Sequence, residues 1–408
     1  MRWLIPFALC LTAGAADVNG IAVTGLDTPS MSSFDRIITA LMRKYEVPGG
    51  QVAVAKDGKI VFAHGYGMAD REGHQPVNPN SLFRIASLSK PFTSAAILKL
   101  VEAGKLRLDD KPFRLLNLAP PRGKSPDPRI WNITIRELLQ HTGGWDRDKS
   151  FDPMFIPIKA AEAVGAPAPA SCETIIRYML GEPLQYDPGT KYAYSNFGYC
   201  VLGRVIEKVT GQPYERFVQN EILAPMGIRD MRTGHSLLDQ RFPNEVKYYD
   251  FPGANEAHSV FPSRPGMVPG PYGGFYLEAM DSHGAWIASA IDLVRFILHL
   301  DGHMQPSALR PSTIREMLAS PGKPVQTDPD VWYGMGWQVR RVGNDANWWH
   351  TGSLPGTTTI MVRTSQEMHW AALFNTRPKS GNFSGELDAA LWKAAGEVQQ
   401  WPSRDLLK

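Results

Sequence analysis

The sequence lacks an excess of charge of either sign: 43 Lys and Arg residues face 40 Asp and Glu residues over 408 positions. Acidic and basic residues are mixed along the chain and no basic block occurs, so nothing indicates binding to nucleic acid or to an anionic membrane. Only three cysteines are present, which excludes a disulfide-scaffold protein. Hydrophobic residues make up 43% of the chain, as in ordinary globular proteins.

The motifs of several enzyme families are also missing. There is no G-x-S-x-G, so the nucleophile elbow of the α/β-hydrolases has no candidate. H-E-x-x-H, G-x-x-x-x-G-K and a G-x-G-x-x-G after a strand are absent as well. The ten histidines are scattered without the short spacing of metal ligands. The sequence therefore predicts no metal and no cofactor, but it leaves open a metal site assembled from distant residues.

The N-terminus has the layout of a secretory signal peptide over residues 1–16: one arginine, a short apolar run and a series of small residues. A membrane anchor would need roughly 18 apolar residues, and the polar residues 17–20 interrupt the run. Leu9 precedes Cys10 where a lipoprotein has a small residue, so cleavage near Ala15 is favoured over lipidation, which stays open. We therefore expect a periplasmic or secreted protein, without stable membrane insertion after cleavage.

Cleavage would leave two cysteines, Cys172 and Cys200, in an oxidising compartment where pairing is permitted. Their spacing is not that of a metal site. A structural disulfide and two buried thiols are both compatible with the sequence, which does not decide between them.

The two ends of the chain have patterns typical of one sheet with helices. Residues 33–45 have apolar side chains at helical spacing, behind a serine that can cap the helix. The side chains of residues 51–55 and 59–63 alternate in character, as is typical of strands, on either side of Asp57-Gly58. This pattern predicts a β-hairpin. Towards the other end, strands are predicted at residues 332–339, 358–362 and 370–374, and a last helix at residues 385–398.

The middle of the chain, residues 112–284, is rich in proline, glycine and helical segments. We predict a mostly helical domain there, inserted into a discontinuous sheet domain formed by residues 30–111 and 285–400. The expected fold class is α/β, more narrowly α+β, with an antiparallel sheet flanked by helices. The helical domain should face the sheet across a cleft.

S-x-x-K occurs twice, and its context separates the two copies. Ser320 stands among prolines and a glycine, which cannot continue a helix. Ser87 opens an apolar helix, so Lys90, three residues later, should lie against the Ser87 hydroxyl. The pair is a candidate nucleophile and base if burial or a neighbouring charge lowers the pKa of the lysine, and the helix N-terminus offers N–H groups to an oxyanion. The alternative is Ser87 as a helix cap and Lys90 as a solvated residue.

Two further segments carry polar residues that suit hydrolysis. Tyr194 can relay a proton if cationic neighbours stabilise its phenolate, and Asn196 can bind an amide-like substrate; alone, this segment is a turn with a capping asparagine. In residues 350–353, Gly352 allows a substrate to approach a strand edge whose N–H groups can bind an oxyanion. Alone, that segment is a β-turn that contains His350.

Three motifs follow one another along the chain: Ser87-x-x-Lys90, Tyr194-x-Asn196 and His350-Thr351-Gly352. Together they resemble the penicillin-recognising serine hydrolases. Tyr-x-Asn in place of Ser-Asp-Asn is similar to the class C β-lactamase branch, which also contains the DD-carboxypeptidases and the esterases often called family VIII. The resemblance covers about residues 33–398 and implies a β-lactamase/transpeptidase-like fold.

The resemblance also implies a role for each motif residue. Ser87 matches the acylated nucleophile, Lys90 its base partner and Tyr194 the proton relay. The backbone N–H groups of Ser87 and Ser353 match the oxyanion hole. The remaining motif residues match the substrate-binding positions: Asn196, His350, Thr351 and Gly352. No cofactor is implied, and the partner is a small ester, amide or peptide substrate.

The third motif departs from the family pattern, because His350 takes the place of the lysine of true class C β-lactamases. There a fixed positive charge helps to bind the carboxylate of the β-lactam. An imidazole is largely neutral near pH 7 unless its pKa is raised. A neutral ester or a D-amino-acid peptide is therefore expected ahead of an antibiotic.

Three functions follow in order of preference. The first is an exported serine hydrolase that acts through an acyl-enzyme on carboxylic esters or small amides. The second is a D-peptide hydrolase or DD-carboxypeptidase with weak β-lactam acylation, and the third is a catalytically silent binding or assembly protein. His141 is interpreted as a loop anchor rather than a catalyst. The sequence identifies neither the substrate nor the oligomeric state.

Overall fold

The computed structural model describes residues 16–379 and 382–408. Except for Ala16, the predicted signal peptide, with Cys10, lies outside the described residues. The strands are β1 (Ala16–Val18), β2 (Ile21–Gly25), β3 (Gly49–Lys56), β4 (Lys59–Asp70), β5 (Gln75–Pro76), β6 (Phe83–Arg84), β7 (Arg232–Thr233), β8 (Ala257–His258), β9 (Met267–Val268), β10 (Trp286–Ala288), β11 (Val331–Tyr333), β12 (Gln338–Val342), β13 (Asp345–Leu354), β14 (Thr357–Arg363) and β15 (Met368–Phe374).

Ten of these strands form the main sheet. Their order is β1-β2-β4-β3-β15-β14-β13-β12-β11, and β5 pairs with β4. Neighbouring strands are antiparallel throughout. Strands from the two ends of the chain meet where β3 pairs with β15. The predicted antiparallel sheet built from both ends is therefore confirmed.

The helices cover both faces of this sheet. They are α1 (Ser32–Lys44), α2 (Ser89–Glu102), α3 (Pro112–Leu116), α4 (Ile135–Leu139), α5 (Pro157–Val164), α6 (Cys172–Met179), α7 (Asn196–Thr210), α8 (Tyr214–Val218), α9 (Ala290–Leu300), α10 (Pro311–Leu318) and α11 (Phe383–Gly396). Helices α3–α8 all fall within residues 112–284, and the division into two domains stays a prediction. Among the described residues, no helix has the length and apolar character needed to cross a membrane.

Strand β15 shows how the sheet separates two cores. Successive side chains of a strand point to opposite faces. Trp370 and Phe374 belong to the core that the sheet shares with α1 and α11. Ala371 and Leu373 belong to the larger core on the other face, with α2, α7 and α9. The three sequence motifs meet on the second side, between the sheet and these helices.

The hairpin predicted around Asp57 and Gly58 is confirmed. It joins β3 to β4, and both turn residues have positive φ, 51° and 76°, as a two-residue hairpin turn requires. The serine cap predicted for the first helix is wrong. That helix begins at Ser32 without a side-chain cap, because the Ser33 hydroxyl donates instead to the carbonyl of Ala394 in α11, at 2.8 Å.

Two strands lie before residue 30, where we placed the start of the sheet domain. Strands β1 and β2 form a hairpin that includes the polar residues 17–20 and pairs with β4 at the sheet edge. The sequence did not reveal them because short edge strands bury few side chains and so have little hydrophobic alternation. The sheet therefore extends further towards the N-terminus than we predicted.

Cys172 and Cys200 form a disulfide, with 6.1 Å between their Cα atoms. The bond joins the start of α6 to α7, and both residues are buried. The structure therefore selects one of the two alternatives that the sequence left open. The disulfide fastens α6 to the helix that begins with Asn196.

Candidate active site

The first motif lies at the junction of a turn and a helix. A 3-10 turn, Ala86–Leu88, holds Ser87, and α2 follows it directly. Ala86 has a left-handed φ of 49°, a conformation that costs a non-glycine residue ~1–3 kcal/mol and that is concentrated at functional sites. Neither the turn nor the helix has a side-chain cap. The alternative interpretation of Ser87 as a helix cap is therefore wrong.

Lys90 is fully buried, which excludes a solvated first-turn lysine. Its Nζ lies 3.1 Å from Ser87 Oγ, 2.8 Å from Asn196 Oδ1 and 3.1 Å from the carbonyl of His283. Burial holds the pKa of Lys90 well below its usual value. Two of the three neighbours can only accept hydrogen bonds, so they take the two N–H groups of a neutral amine. The lone pair then faces the Ser87 hydroxyl, as a general base requires.

Tyr194 lies beside Ser87 and Lys90. Lys90 Nζ is 4.7 Å from the ring centroid of Tyr194, and the Arg147 guanidinium carbon is 4.8 Å from it. Since Lys90 is neutral, Arg147 is the cation beside this ring. Burial nevertheless raises the pKa of Tyr194 far above its usual value, against the smaller, opposite effect of a hydrogen bond with Ser87. Tyr194 is therefore a phenol at rest, which leaves the neutral amine of Lys90 as the candidate base.

Asn196 is the first residue of α7, but it does not cap the helix. Ser195 is the cap, since its hydroxyl accepts a hydrogen bond from the N–H of Gly198 at 3.2 Å. Asn196 Nδ2 donates to Asp152 Oδ2 at 2.6 Å, while its Oδ1 accepts from Lys90. The alternative of a capping asparagine is therefore wrong, and the amide has a fixed orientation.

Asp152 is a residue that the sequence did not indicate. Its side chain is largely buried, and Arg147 Nη1 lies 3.7 Å from the same carboxylate oxygen that holds Asn196. In the sequence, Asp152 precedes a proline, a pattern that indicates only the N-cap of a helical turn. Its carboxylate does accept a hydrogen bond from the N–H of Met154. Its position next to the second motif depends on the fold.

His141 anchors the loop that carries Tyr194, in agreement with its interpretation as a loop anchor. Its backbone has a positive φ of 57°, and its Nδ1 accepts from the N–H of Ser195 at 3.2 Å. The imidazole ring lies 4.3 Å from the ring of Tyr194, centroid to centroid. Burial and the nearby Lys90 hold the pKa of His141 well below its usual value. The ring is therefore neutral and fixes the position of the second motif.

The third motif lies on β13, which packs directly on the turn that holds Ser87. A Cβ atom on Gly352 would lie 2.2 Å from Thr359 Oγ1 and 2.4 Å from the carbonyl of Ile85. Thr359 in turn donates to that carbonyl at 2.9 Å. Only glycine allows so close an approach. The contact brings Ser353 and Ser87 to the same cleft.

His350 lines the site but is largely buried. Its Nδ1 donates to the carbonyl of Thr351 at 2.7 Å, and its Nε2 accepts from the hydroxyl of Tyr333 at 3.0 Å. Burial, with the nearby Lys90, lowers the pKa of His350 to about 3. The imidazole is therefore neutral at physiological pH, as we expected from the sequence. It supplies no fixed positive charge at this position.

The three motifs surround a cleft of about 500 Å³. Of the predicted site residues, the cleft is lined by Ser87, Tyr194, Asn196, His350, Thr351 and Ser353. Two exposed arginines, Arg147 and Arg377, also line it, and neither was indicated by a motif. Phe155, Met280 and Leu354 supply an apolar wall. The cleft thus combines a candidate nucleophile, an apolar surface and cations.

Comparison with known proteins agrees with this geometry. The Beta-lactamase family model matches residues 34–393. A penicillin-binding protein of Bacillus subtilis (strain 168) is 28% identical over 77% of this chain and 65% of its own length. The esterase EstB of Burkholderia gladioli is 30% identical over 54% of this chain and 55% of its own. The chain thus spans less than two thirds of the length of these relatives.

Solved structures show the same fold. The D-amino acid amidase of Ochrobactrum anthropi SV3 superposes with a TM-score of 0.68 at 22% identity, over 91% of this chain and 99% of that one. The sheet, the inserted helices and the three motifs thus define a β-lactamase/transpeptidase-like protein. The chain belongs to the Beta-lactamase family.

Proposed function

We propose that this protein is an exported serine hydrolase that acts through an acyl-enzyme on carboxylic esters or small amides. One observation carries the proposal: the buried Nζ of Lys90 has two pure acceptors, Asn196 Oδ1 and the carbonyl of His283, and keeps its lone pair for Ser87. A serine becomes nucleophilic when an adjacent base removes its proton. The esterase among the relatives supports the substrate class.

The reaction follows from the contacts. The Ser87 proton passes to Lys90 Nζ as Ser87 Oγ attacks the substrate carbonyl carbon, and the carbonyl oxygen becomes an oxyanion held by the N–H groups of Ser87 and Ser353. The proton then passes through Tyr194 to the leaving group, and the bond between that group and the carbonyl carbon breaks. Water then attacks the carbonyl carbon of the acyl-enzyme and gives a proton to Lys90 Nζ. The bond between that carbon and Ser87 Oγ breaks, Ser87 Oγ takes the proton back from Lys90, and the acid leaves.

Three substrates tested side by side distinguish the candidate reactions. We expect p-nitrophenyl butyrate to be hydrolysed faster than a chromogenic cephalosporin and a D-Ala-D-Ala peptide. Ser87→Ala should abolish this turnover. Ser320→Ala, in the exposed second S-x-x-K, is the matched control and should retain it. No turnover of any of the three substrates, together with no covalent labelling of Ser87, would support a binding protein and overturn the proposal.

A second candidate, a D-peptide hydrolase or DD-carboxypeptidase, is favoured by the arginines of the cleft. A peptide that ends in a free carboxylate would meet Arg147 or Arg377 at the cleft wall. The D-amino acid amidase with the same fold acts on a related class by its name. Release of terminal D-Ala that exceeds ester turnover, and that falls in Arg377→Ala, would establish this candidate over the first.

Export to the periplasm or the medium is part of the proposal. The disulfide between Cys172 and Cys200 supports it, because disulfides persist in oxidising compartments. Expression of the full chain, followed by cell fractionation and N-terminal sequencing, tests it. We expect a mature N-terminus near Asp17 outside the cytoplasm. An uncleaved chain in the cytoplasm would contradict export and would leave the hydrolase proposal unchanged.

A further inference from the structure

Four side chains with metal-binding atoms converge at the end of the sheet away from the cleft. Strand β14 relates the two places: Thr358 pairs with Ser353 of the active site, and Arg363 at its other end pairs with His369. Beside His369 lie Asp301, at the end of α9, and two residues from turns, His303 and Glu367. None of these residues takes part in the proposed hydrolysis.

The donor atoms have spacings close to those of a tetrahedral metal site. Asp301 Oδ2 lies 2.9 Å from His369 Nε2 and 3.4 Å from His303 Nε2. His303 Nε2 in turn lies 2.8 Å from Glu367 Oε2. Zinc bonds of about 2.0–2.1 Å place neighbouring tetrahedral ligands roughly 3.4 Å apart. The ligand atoms of Asp301, His303 and His369 lie within 4.8 Å of one another. Glu367, which contacts His303, would complete the set by rotation of its partly exposed side chain.

The hydrogen bonding of Asp301 points in the same direction. Three nitrogens surround its Oδ2: Arg363 Nε at 2.9 Å, His369 Nε2 at 2.9 Å and His303 Nε2 at 3.4 Å. Its two lone pairs can accept from Arg363 and His369, while His303 Nε2 has its own acceptor, Glu367 Oε2, at 2.8 Å. These contacts already point both Nε2 atoms at carboxylates, and a cation would take the place of the two imidazole hydrogens.

The surrounding charges suit a divalent cation. Asp301 and Glu367 supply two carboxylates, and Arg363 is shared between Asp301 and a third, Asp345. A guanidinium that donates to a ligating carboxylate fixes its orientation, as residues behind metal ligands commonly do. The Glu367 side chain is 46% exposed and that of His303 25%, which gives an ion a path from solvent.

We propose that Asp301, His303, Glu367 and His369 form a zinc-binding site. Two imidazoles and two carboxylates match the ligand preference of Zn²⁺. The ion would tie the end of α9 to β15 and to the turn that precedes it. Sequence spacing did not reveal this site, because only Asp301 and His303 are neighbours within one segment and Glu367 and His369 within another. Zinc bound only by the folded chain raises its melting temperature.

Zinc titration of the tag-free mature protein tests the site. The protein is first treated with EDTA, dialysed into metal-free buffer and then titrated calorimetrically with ZnCl₂. We expect one ion per chain, a higher melting temperature with zinc, and at least tenfold weaker binding in His303→Ala. His258→Ala, which removes an exposed histidine elsewhere, is the matched control and should bind as the wild type does.

His303 lies on an exposed turn, so its replacement should leave the fold intact. Equal melting temperatures of wild type and His303→Ala in EDTA would show that the variant folds. Absence of saturable binding to the wild type, or unchanged binding in His303→Ala, would overturn the site. With Co²⁺ as a spectroscopic substitute, visible absorption typical of tetrahedral coordination is expected in the wild type and not in His303→Ala. None of these readouts depends on hydrolysis.

Discussion

Asp152 holds Asn196 by a hydrogen bond of 2.6 Å from the amide Nδ2 to the carboxylate Oδ2. This contact leaves the amide oxygen facing Lys90, where it accepts one N–H of the amine. It also leaves the second N–H of the amide available to a substrate carbonyl. A carboxylate outside the three motifs thus determines how the second motif presents its side chain.

Replacement of Asp152 tests this positioning role. We expect Asp152→Ala to lower kcat/KM about tenfold to a hundredfold, because loss of one buried partner costs ~1–3 kcal/mol. Asp152→Asn should recover much of the loss, since its amide oxygen can still accept from Asn196. Steady-state kinetics with a p-nitrophenyl ester measures both. Equal activity of Asp152→Ala and wild type would show that Asn196 needs no such support.

The pH profile of kcat/KM tests the protonation state of Lys90. Burial lowers the pKa of this group, and the active form is the unprotonated amine. Activity should therefore fall only as the pH drops through this lowered pKa, well below the usual lysine value. Activity that rises only near the usual lysine value of 10.5 would contradict a neutral base at rest.

Two charges near Lys90 should shift the acidic limb of the pH profile, where kcat/KM falls as Lys90 becomes protonated, in opposite directions. The negative charge of Asp152 raises the pKa of Lys90, and the positive charge of Arg147 lowers it. Asp152→Asn should therefore shift the limb to lower pH and Arg147→Gln to higher pH, each measured on the same ester. Shifts in the same direction for both variants would show that the limb belongs to another group.

Gly352→Ala tests the contact between β13 and the nucleophile turn. The added Cβ would overlap with Thr359 Oγ1 and the carbonyl of Ile85, and overpacking of this kind costs ~1–3 kcal/mol. We expect a lower melting temperature and a larger proportional loss of kcat/KM, because the strand is forced away from Ser87. Gly396→Ala, in open space at the end of α11, is the control and should lower neither quantity, because the added Cβ meets no atom and alanine favours a helix. Full activity of Gly352→Ala would refute the need for close approach.

His350→Lys tests why the site should prefer neutral substrates. The imidazole of His350 is neutral, with its pKa lowered to about 3 by burial, so it cannot attract the carboxylate of a β-lactam. A lysine there would place an ammonium group near the cleft. We expect the ratio of cephalosporin acylation to ester turnover to rise several-fold. An unchanged ratio would assign β-lactam discrimination to another part of the cleft.

The extent of prediction from sequence differs between the fold and the site. The hairpin at Asp57, the sheet from both chain ends and the placement of Lys90 against Ser87 follow from local periodicity and turn chemistry, so they were predictable. Asp152, Arg147 and Arg377 were not, because each reaches the cleft from a loop whose course depends on tertiary packing.

The disulfide and the edge strands show two other reasons why a feature of the fold could not be predicted from the sequence. Cys172 and Cys200 become neighbours only when α6 packs on α7, and no local pattern encodes that contact. Strands β1 and β2 lie at the sheet edge, where few side chains are buried and hydrophobic alternation is weak. Sequence patterns thus report local structure well and distant contacts only through recognised motifs.

Covalent labelling by a fluorophosphonate probe shows which residue is the nucleophile, because the adduct does not depend on the identity of the natural substrate. We expect one adduct per chain, mapped to Ser87 by peptide mass spectrometry and lost in Ser87→Ala. Labelling should be slower by at least a hundredfold in Lys90→Met, while Ser320→Ala should react as the wild type does. An adduct on another residue, or equal labelling of Ser87→Ala, would contradict the assignment of Ser87 as a nucleophile activated by Lys90.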